Sequence, residues 1–239
     1  MVKSRPHAEI EMEEKSGIAL VFSRYRYFWL AFGVVLLDQL VKLAVKFTMR
    51  PYEEVKLLGD FFRVNFIENK GAAFGLTIAD IFQKIGVSLT EDRAKMALTM
   101  FSVIAIIVIV YLLQRSQQAK TRLPVFLALI LGGAIGNIID RIFYGVWFAG
   151  INDYEGGLFH GRVVDMFYID AYHGEVFGMQ VDLLPVFNIA DGAIATGIIA
   201  IIIFQRRLFR QYQAEDDPNA TKPKTEENQV AENGPELSE

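Results

Sequence analysis

The residues of this sequence that could do chemistry are carboxylates, because the chain has no cysteine and no serine in a nucleophile-elbow pattern. No HExxH-type zinc motif occurs, and the three histidines are too scattered for a metal site. Asp165 lies in the apolar stretch 163–167, and Asp191 follows Asn188 by three residues; neither has a local cation to pair with. Two aspartates that meet in an apolar environment share one proton, so one can activate water while the other polarises a carbonyl. This chemistry is aspartyl peptide hydrolysis, and it requires a fold that brings Asp165 and Asp191 together.

Further polar side chains lie inside long apolar segments, where an ionisable group is costly and is a functional candidate by default. Asp38 and Lys42 are four residues apart, the spacing of a helical ion pair. We interpret this pair as structural, because pairing is the usual way to bury charges. Arg141 could extend to the membrane interface or pair with its neighbour Asp140. Asn137 and Asn188 are uncharged polar candidates in these segments.

Four apolar segments must position these side chains. They cover about 27–46, 96–113, 123–143 and 186–204, and each is long enough to cross ~30 Å of hydrocarbon. Four such segments with charged flanks predict a membrane protein, an all-α four-helix bundle. Gly132, Gly133 and Gly136 in the third segment are typical of close helix packing rather than of a phosphate-binding loop.

Basic residues at the ends of the segments predict their direction through the membrane. They precede the first segment, separate the second from the third and follow the fourth: Arg24, Arg26, Arg115, Lys120, Arg122, Arg206, Arg207 and Arg210. These positions lie on one side of a four-span protein, so both termini are expected in the cytoplasm. The long connectors 47–95 and 144–185 then face outward, and the polar residues of three spans fall near the outer interface.

The expected organisation has three parts. Residues 1–26 form a mobile cytoplasmic segment, and residues 27–205 form the membrane domain, in which the strand-like stretch 61–67 predicts a small extracytoplasmic β-rich cradle. Residues 206–239 comprise a basic stop and then an acidic tail, with eight acidic residues and two lysines from position 214 onward. This composition is typical of disorder. The tail accounts for the net charge of -4, and no nucleic-acid partner is expected.

Five motifs in this order resemble those of lipoprotein signal peptidase, or signal peptidase II, over about residues 28–205. They are Asp38-Gln-Leu-Val-Lys42, Asn69-Lys-Gly-Ala-Ala-Phe-Gly75, the stretch from Gly132 to Arg141, Val-Val-Asp165-Met-Phe, and Phe187-Asn-Ile-Ala-Asp191. The resemblance implies a bacterial inner-membrane aspartyl endopeptidase with its active site at the outer face. It would cleave the signal peptide from diacylglyceryl-modified prolipoproteins, on the N-terminal side of the lipidated cysteine.

The resemblance also implies roles for individual residues. Asp165 and Asp191 match the catalytic pair, which uses an activated water. The pattern positions around the site are Asn69, Gly133, Asn137, Arg141, Asn188 and Ala190, and the supporting positions are Asp38, Lys42 and Asp140. The family uses no metal or organic cofactor, and the cyclic peptide globomycin inhibits it. The implied partners are diacylated prolipoproteins and the phospholipid bilayer.

One departure from the family pattern bears on the alternative interpretations. A segment of about twenty residues, 142–162, separates the third span from Val163, where the family commonly has a compact link. The alternative is a non-enzymatic polytopic membrane protein, either a transporter component with an outer ion site or an assembly factor whose loops bind partners. A GxGD intramembrane protease is disfavoured, because the sole Gly-Asp pair, Gly59-Asp60, lies in a loop.

Overall fold

Four long helices dominate the computed structural model, which describes residues 22, 24–73, 76–77, 90–117, 121–152, 154–170, 173–176, 179–182 and 185–216. They are α1 (Arg26–Thr48), α2 (Glu91–Ser116), α3 (Leu123–Ile139) and α5 (Ile189–Asp216); a π-helical turn (Asp140–Tyr144) joins α3 to the short α4 (Gly145–Trp147). Within these residues, four helical stretches are long and apolar enough to cross a membrane: Arg26–Thr48, Arg93–Ser116, Leu123–Trp147 and Ile189–Arg206. The prediction of four apolar helices is therefore confirmed. The terminal segment 1–21 and the tail from 217 lie outside the described residues.

The helix bounds differ from the predicted spans at several ends. The second helix begins at Glu91 rather than near 96, because Thr90 caps it by accepting a hydrogen bond from the Arg93 amide. The third continues past 143 through the π-helical turn. The fourth begins at Ile189 rather than 186, because Phe187 pairs with a strand. It also continues to Asp216, past the predicted stop at 206.

The helix α3 is the central helix of the bundle. Half of the residues in its most apolar stretch are buried, compared with 11 to 22% of the residues in the corresponding stretches of the other three spans. A Cβ atom at Gly132 would lie 2.7 Å from the Ala31 carbonyl oxygen of α1, and one at Gly133 would overlap the Ala190 carbonyl of α5. The glycines therefore allow the backbones to approach closely, as expected from membrane helix packing.

Three antiparallel strands cover one end of the bundle. The sheet has the order β1 (Glu54–Leu58), β2 (Phe62–Asn69), β5 (Val163–Ile169), and two short hairpins accompany it: β3–β4 (Ala72–Ala73 with Leu76–Thr77) and β6–β7 (His173–Val176 with Met179–Asp182). Phe66, Val164 and Met166 of the sheet are buried in one cluster with Val45 of α1 and Tyr144 of the π-helical turn. Burial of this apolar surface fixes the sheet to the ends of α1 and α3.

The segment 142–162 packs on the π-helical turn. The amides of Phe159 and Gly161 donate hydrogen bonds of 3.0 Å to the carbonyls of Ile142 and Arg141. A Cβ atom at Gly161 would overlap the Asp140 carbonyl, so this contact requires glycine. The last residues of this segment therefore fold back against the end of α3, and the chain continues from there into β5.

Candidate active site

A short backbone pairing brings Asp165 close to the start of α5. Phe167 of β5 and Phe187 form an isolated antiparallel bridge, with amide-to-carbonyl distances of 2.8 and 3.0 Å. The Met166 amide also donates to the Phe187 carbonyl at 3.1 Å. Because Asn188 follows Phe187 directly, this bridge places the beginning of α5 against the strand that carries Asp165.

Two asparagines hold the Asp165 carboxylate. Asn69 Nδ2, at the end of β2, donates to Asp165 Oδ2 at 2.9 Å, and Asn188 Nδ2 donates to Oδ1 at 2.7 Å. The register of β2 with β5, in which Asn69 lies opposite Val163, places the Asn69 amide beside this carboxylate. Both Asp165 oxygens accept a hydrogen bond, and the residue is only 3% exposed.

Asp191 belongs to a reciprocal capping box at the start of α5. The Asp191 amide donates to Asn188 Oδ1 at 2.9 Å, and the Asn188 amide donates to Asp191 Oδ2 at 3.2 Å. This arrangement satisfies two backbone amides that a helix otherwise leaves without partners. The i,i+3 spacing of Asn188 and Asp191 is therefore a helix-start signal, and the same turn directs the Asp191 carboxylate toward Asp165.

Asn188 and Asn137 connect the two carboxylates. Asn188 touches both, through its side chain to Asp165 and its backbone amide to Asp191. Asn137 Nδ2, near the end of α3, donates to Asp191 Oδ1 at 2.8 Å, and Asn137 Oδ1 accepts from Asn188 Nδ2 at 3.2 Å. The structure thus gathers Asp165, Asp191, Asn69, Asn137 and Asn188 from β2, α3, β5 and α5 into one hydrogen-bonded group.

The two carboxylates differ in their surroundings. Burial, and secondarily the charge of Asp191, raise the pKa of Asp165 from 3.8 to about 7, against the opposing effect of its hydrogen bonds from Asn69 and Asn188. Asp191 is partly exposed and lies in the first turn of a helix, where the macrodipole favours a negative charge. The site can therefore hold a proton on Asp165 near neutral pH.

Asp38, Lys42 and Asp140 form a fully buried charge cluster beneath this group. Lys42 Nζ lies 2.8 Å from both Asp38 Oδ2 and Asp140 Oδ2. Asp38 Oδ1 accepts from the Ala190 amide at 2.9 Å, and Asp140 Oδ2 accepts from the Val164 amide at 3.3 Å. The cluster therefore ties α1 to the π-helical turn, to β5 and to the start of α5.

Arg141 does not use Asp140 as its ion-pair partner, because the Asp140 carboxylate is bonded to Lys42 and Gln39. The Arg141 guanidinium lies beside Gly71, where an added Cβ atom would be 3.3 Å from Nη1, and it faces the charges of Asp165 and Asp191. Within the described part of the chain it makes no hydrogen bond or ion pair. A partly exposed cation next to two carboxylates can bind a polar group of a substrate.

Gly133 and Ala190 contribute through the backbone. The Gly133 position allows α3 to contact the Ala190 carbonyl, and Ala190 is itself buried and bonded to Asp38 through its amide. Across the ranges described, no group of three histidines or acidic residues is arranged to hold a metal ion.

Two supporting interactions were not predicted from the sequence. Gln39 Nε2 donates to Asp140 Oδ1 at 2.9 Å, and the Tyr144 hydroxyl donates to Gln39 Oε1 at 3.1 Å. Lys46 forms a buried ion pair with Glu68 of β2, next to Asn69. The presence of Lys46 in an apolar helix, one turn after Lys42, was the available signal.

Comparison with known proteins defines the class of this protein. Residues 30–207 match the sequence model of the signal peptidase (SPase) II family. A lipoprotein signal peptidase of Pelodictyon phaeoclathratiforme is 35% identical over 77% of this chain and 91% of its own, and one of Amoebophilus asiaticus is 31% identical over 90% and 98%. The class is thus an aspartic-type membrane peptidase.

A solved structure supports the fold. A bacterial membrane enzyme determined at 2.3 Å resolution has a TM-score of 0.54, with 24% identity, covering 82% of this chain and 94% of that one. The chain belongs to the signal peptidase II family. This membership agrees with the predicted enzyme and not with the non-enzymatic alternative.

Proposed function

We propose that this chain removes the signal peptide from diacylglyceryl-modified prolipoproteins, cutting on the N-terminal side of the lipidated cysteine. The relatives are named lipoprotein signal peptidases, and their similarity extends over most of the chain. The observation that carries the mechanism is the contact of Asn188 with both carboxylates, which joins Asp165 and Asp191 into one catalytic pair.

The surroundings of the two aspartates support different roles for them. Asp191 is the base: its carboxylate takes a proton from water, and the resulting hydroxide adds to the scissile carbonyl carbon. Asp165 is the acid, since the pKa of about 7 lets it hold a proton and donate it to the carbonyl oxygen. The tetrahedral intermediate then collapses: Asp191 returns its proton to the leaving nitrogen, the carbon–nitrogen bond breaks, and Asp165 recovers its proton from the intermediate.

The remaining polar residues position the substrate. Asn69 and Asn188 fix the Asp165 carboxyl, and Asn137 fixes that of Asp191. Arg141 is available for a backbone carbonyl or a lipid ester group of the substrate.

Placement in the bacterial inner membrane, with both termini in the cytoplasm and the site at the outer face, belongs to the same proposal. The basic ends of the spans support this direction. The signal helix of the substrate would then lie in the bilayer beside the spans, with its cleavage site level with the catalytic pair.

The test uses the purified full chain in detergent with a synthetic diacylated prolipoprotein. Mass spectrometry should detect loss of the signal peptide, and globomycin should inhibit it. Asp165→Asn and Asp191→Asn should each abolish cleavage, while the same peptide without its diacylglyceryl group should remain uncut. Cleavage of the unmodified peptide would contradict the lipid requirement, and full activity of either variant would contradict the catalytic pair.

A further inference from the structure

Lys42 is separated from the catalytic pair by a single side chain, Asn137. Its ammonium group has three hydrogen-bond donors, and three oxygens surround it: Asp38 Oδ2 at 2.8 Å, Asp140 Oδ2 at 2.8 Å and Asn137 Oδ1 at 2.9 Å. The two carboxylates more than compensate its single positive charge. The third contact is with the neutral amide oxygen of Asn137, and the nitrogen of the same amide donates to Asp191.

The amide of Asn137 has two possible orientations, which differ in what faces Asp191. In the observed one, Oδ1 accepts from Lys42 and from Asn188 Nδ2, and Nδ2 donates to Asp191 Oδ1 at 2.8 Å. In the reversed orientation, the NH2 group of Asn137 would face the ammonium group of Lys42 and the NH2 group of Asn188. Its oxygen would then face the Asp191 carboxylate. Because an ammonium group can only donate, it excludes the reversed orientation.

We infer that Lys42 is a positioning residue for the reaction: it fixes the orientation of Asn137, and thereby keeps a donor on the carboxylate of Asp191. The inference rests on the proposed function only for its consequence in catalysis, since the orientation of Asn137 exists without substrate. A donor stabilises the charged form of the base, which the reaction requires. Lys42 thus selects which aspartate carries the charge, in addition to tying α1 to α3.

Charged groups from several elements surround the start of α5 and also influence Asp191. They are Asp38 and Lys42 of α1, Asp140 and Arg141 of the π-helical turn, and Asp165 of β5. A useful variant must therefore remove the orienting donor without changing the summed charge of this group. Lys42→Met combined with Asp140→Asn does so, because it removes one positive and one negative charge and methionine has no hydrogen-bond donor.

The neighbouring ion pair provides a matched control. Lys46 is buried one helical turn further along α1 and pairs with Glu68 of β2. Lys46→Met with Glu68→Gln removes one positive charge from the same helix and one negative charge from its partner on β2, and it leaves the hydrogen bond from Lys42 to Asn137 in place. Both double variants should reduce thermal stability, so stability does not distinguish the two roles.

The deciding measurement is an infrared pH titration of the substrate-free protein in detergent, with each spectrum referenced to its own Asp191→Asn variant. In Lys42→Met/Asp140→Asn, the carboxylate band of Asp191 should disappear at a pH about one unit higher than in the parent, the effect of one lost charge-assisted hydrogen bond. In Lys46→Met/Glu68→Gln the band should stay in place. An unchanged band in the first variant, or an equal shift in both, would overturn the inference.

Activity provides the second readout. The acid limb of the kcat profile should move by the same amount in Lys42→Met/Asp140→Asn, with KM changed less than about twofold. If the parent protein does not cleave the lipidated substrate, the proposed function fails, and the infrared titration still decides the role of Lys42. If the parent cleaves and only the infrared shift is missing, the positioning role alone is wrong.

Discussion

Replacing Asp165 by asparagine should remove activity and, at high pH, stabilise the protein. The pKa of Asp165 rises from 3.8 to about 7 because folding buries the carboxyl group. Between these pH values the folded chain binds more protons than the unfolded chain, so the free energy of unfolding falls as the pH rises. The full difference corresponds to about 4 kcal/mol, which is lost progressively between about pH 4 and about pH 7.

Asparagine cannot ionise and so avoids this loss, but it has a cost of its own. Asp165 accepts from Asn69 Nδ2 and from Asn188 Nδ2, and an asparagine amide would point its NH2 at one of these donors. One broken buried hydrogen bond costs about 1–3 kcal/mol. Asp165→Asn should therefore be less stable than the parent near about pH 4 and more stable, by about 1–3 kcal/mol, near about pH 8.

Thermal unfolding in detergent, followed by tryptophan fluorescence at both pH values, measures this reversal of sign. The control is Asp191→Asn, which also removes a carboxylate of the catalytic pair. Asp191 is partly exposed and caps the first turn of α5, so its replacement should destabilise the protein at high pH. A melting-temperature difference between Asp165→Asn and the parent that does not change with pH would refute the reasoning.

Two further predictions follow from the geometry. The cleavage rate should decline above about pH 7, because Asp165 loses the proton that it donates; kcat measured at saturating substrate tests this, and a rate that stays constant to about pH 9 would rule out Asp165 as the acid. Gly133→Ala should lower stability by about 1–3 kcal/mol and reduce cleavage, because its methyl group would overlap the backbone of α5. Gly33→Ala, where the added atom meets open space, is the control for thermal unfolding and for activity.

Much of the helical fold could be predicted from the sequence, because length and hydropathy are sufficient to recognise a span. In lipid, a long apolar segment must satisfy its own backbone hydrogen bonds, and it does so as a helix. The four segments could therefore be identified from the sequence. Their ends were harder to predict, since they depend on local partners. Thr90 moves one helix start outward by capping it, and Phe187 delays another by pairing with Phe167.

The candidate site was predictable in its members but not in its connections. The presence of Asp165, Asp191, Asn137 and Asn188 in or beside apolar segments marked them as candidates. The distance between the two aspartates depends on the Phe167–Phe187 bridge, a contact between residues twenty positions apart with no distinctive spacing.

The partner of Asp140 could not be predicted from the sequence either. Its neighbour Arg141 was one candidate, but the π-helical turn directs Asp140 toward Lys42 of α1. A change in helical geometry within a few residues decides which side chain faces inward, and apolar periodicity does not report it.

The capping box of Asn188 and Asp191 makes helix nucleation and assembly of the proposed catalytic pair the same event. The hydrogen bonds that begin α5 are those that orient the proposed base. In the proposed mechanism, a nascent chain whose last helix has not yet formed therefore lacks an oriented base, whatever the state of the first three spans. Activity would then begin only once the final span is in place.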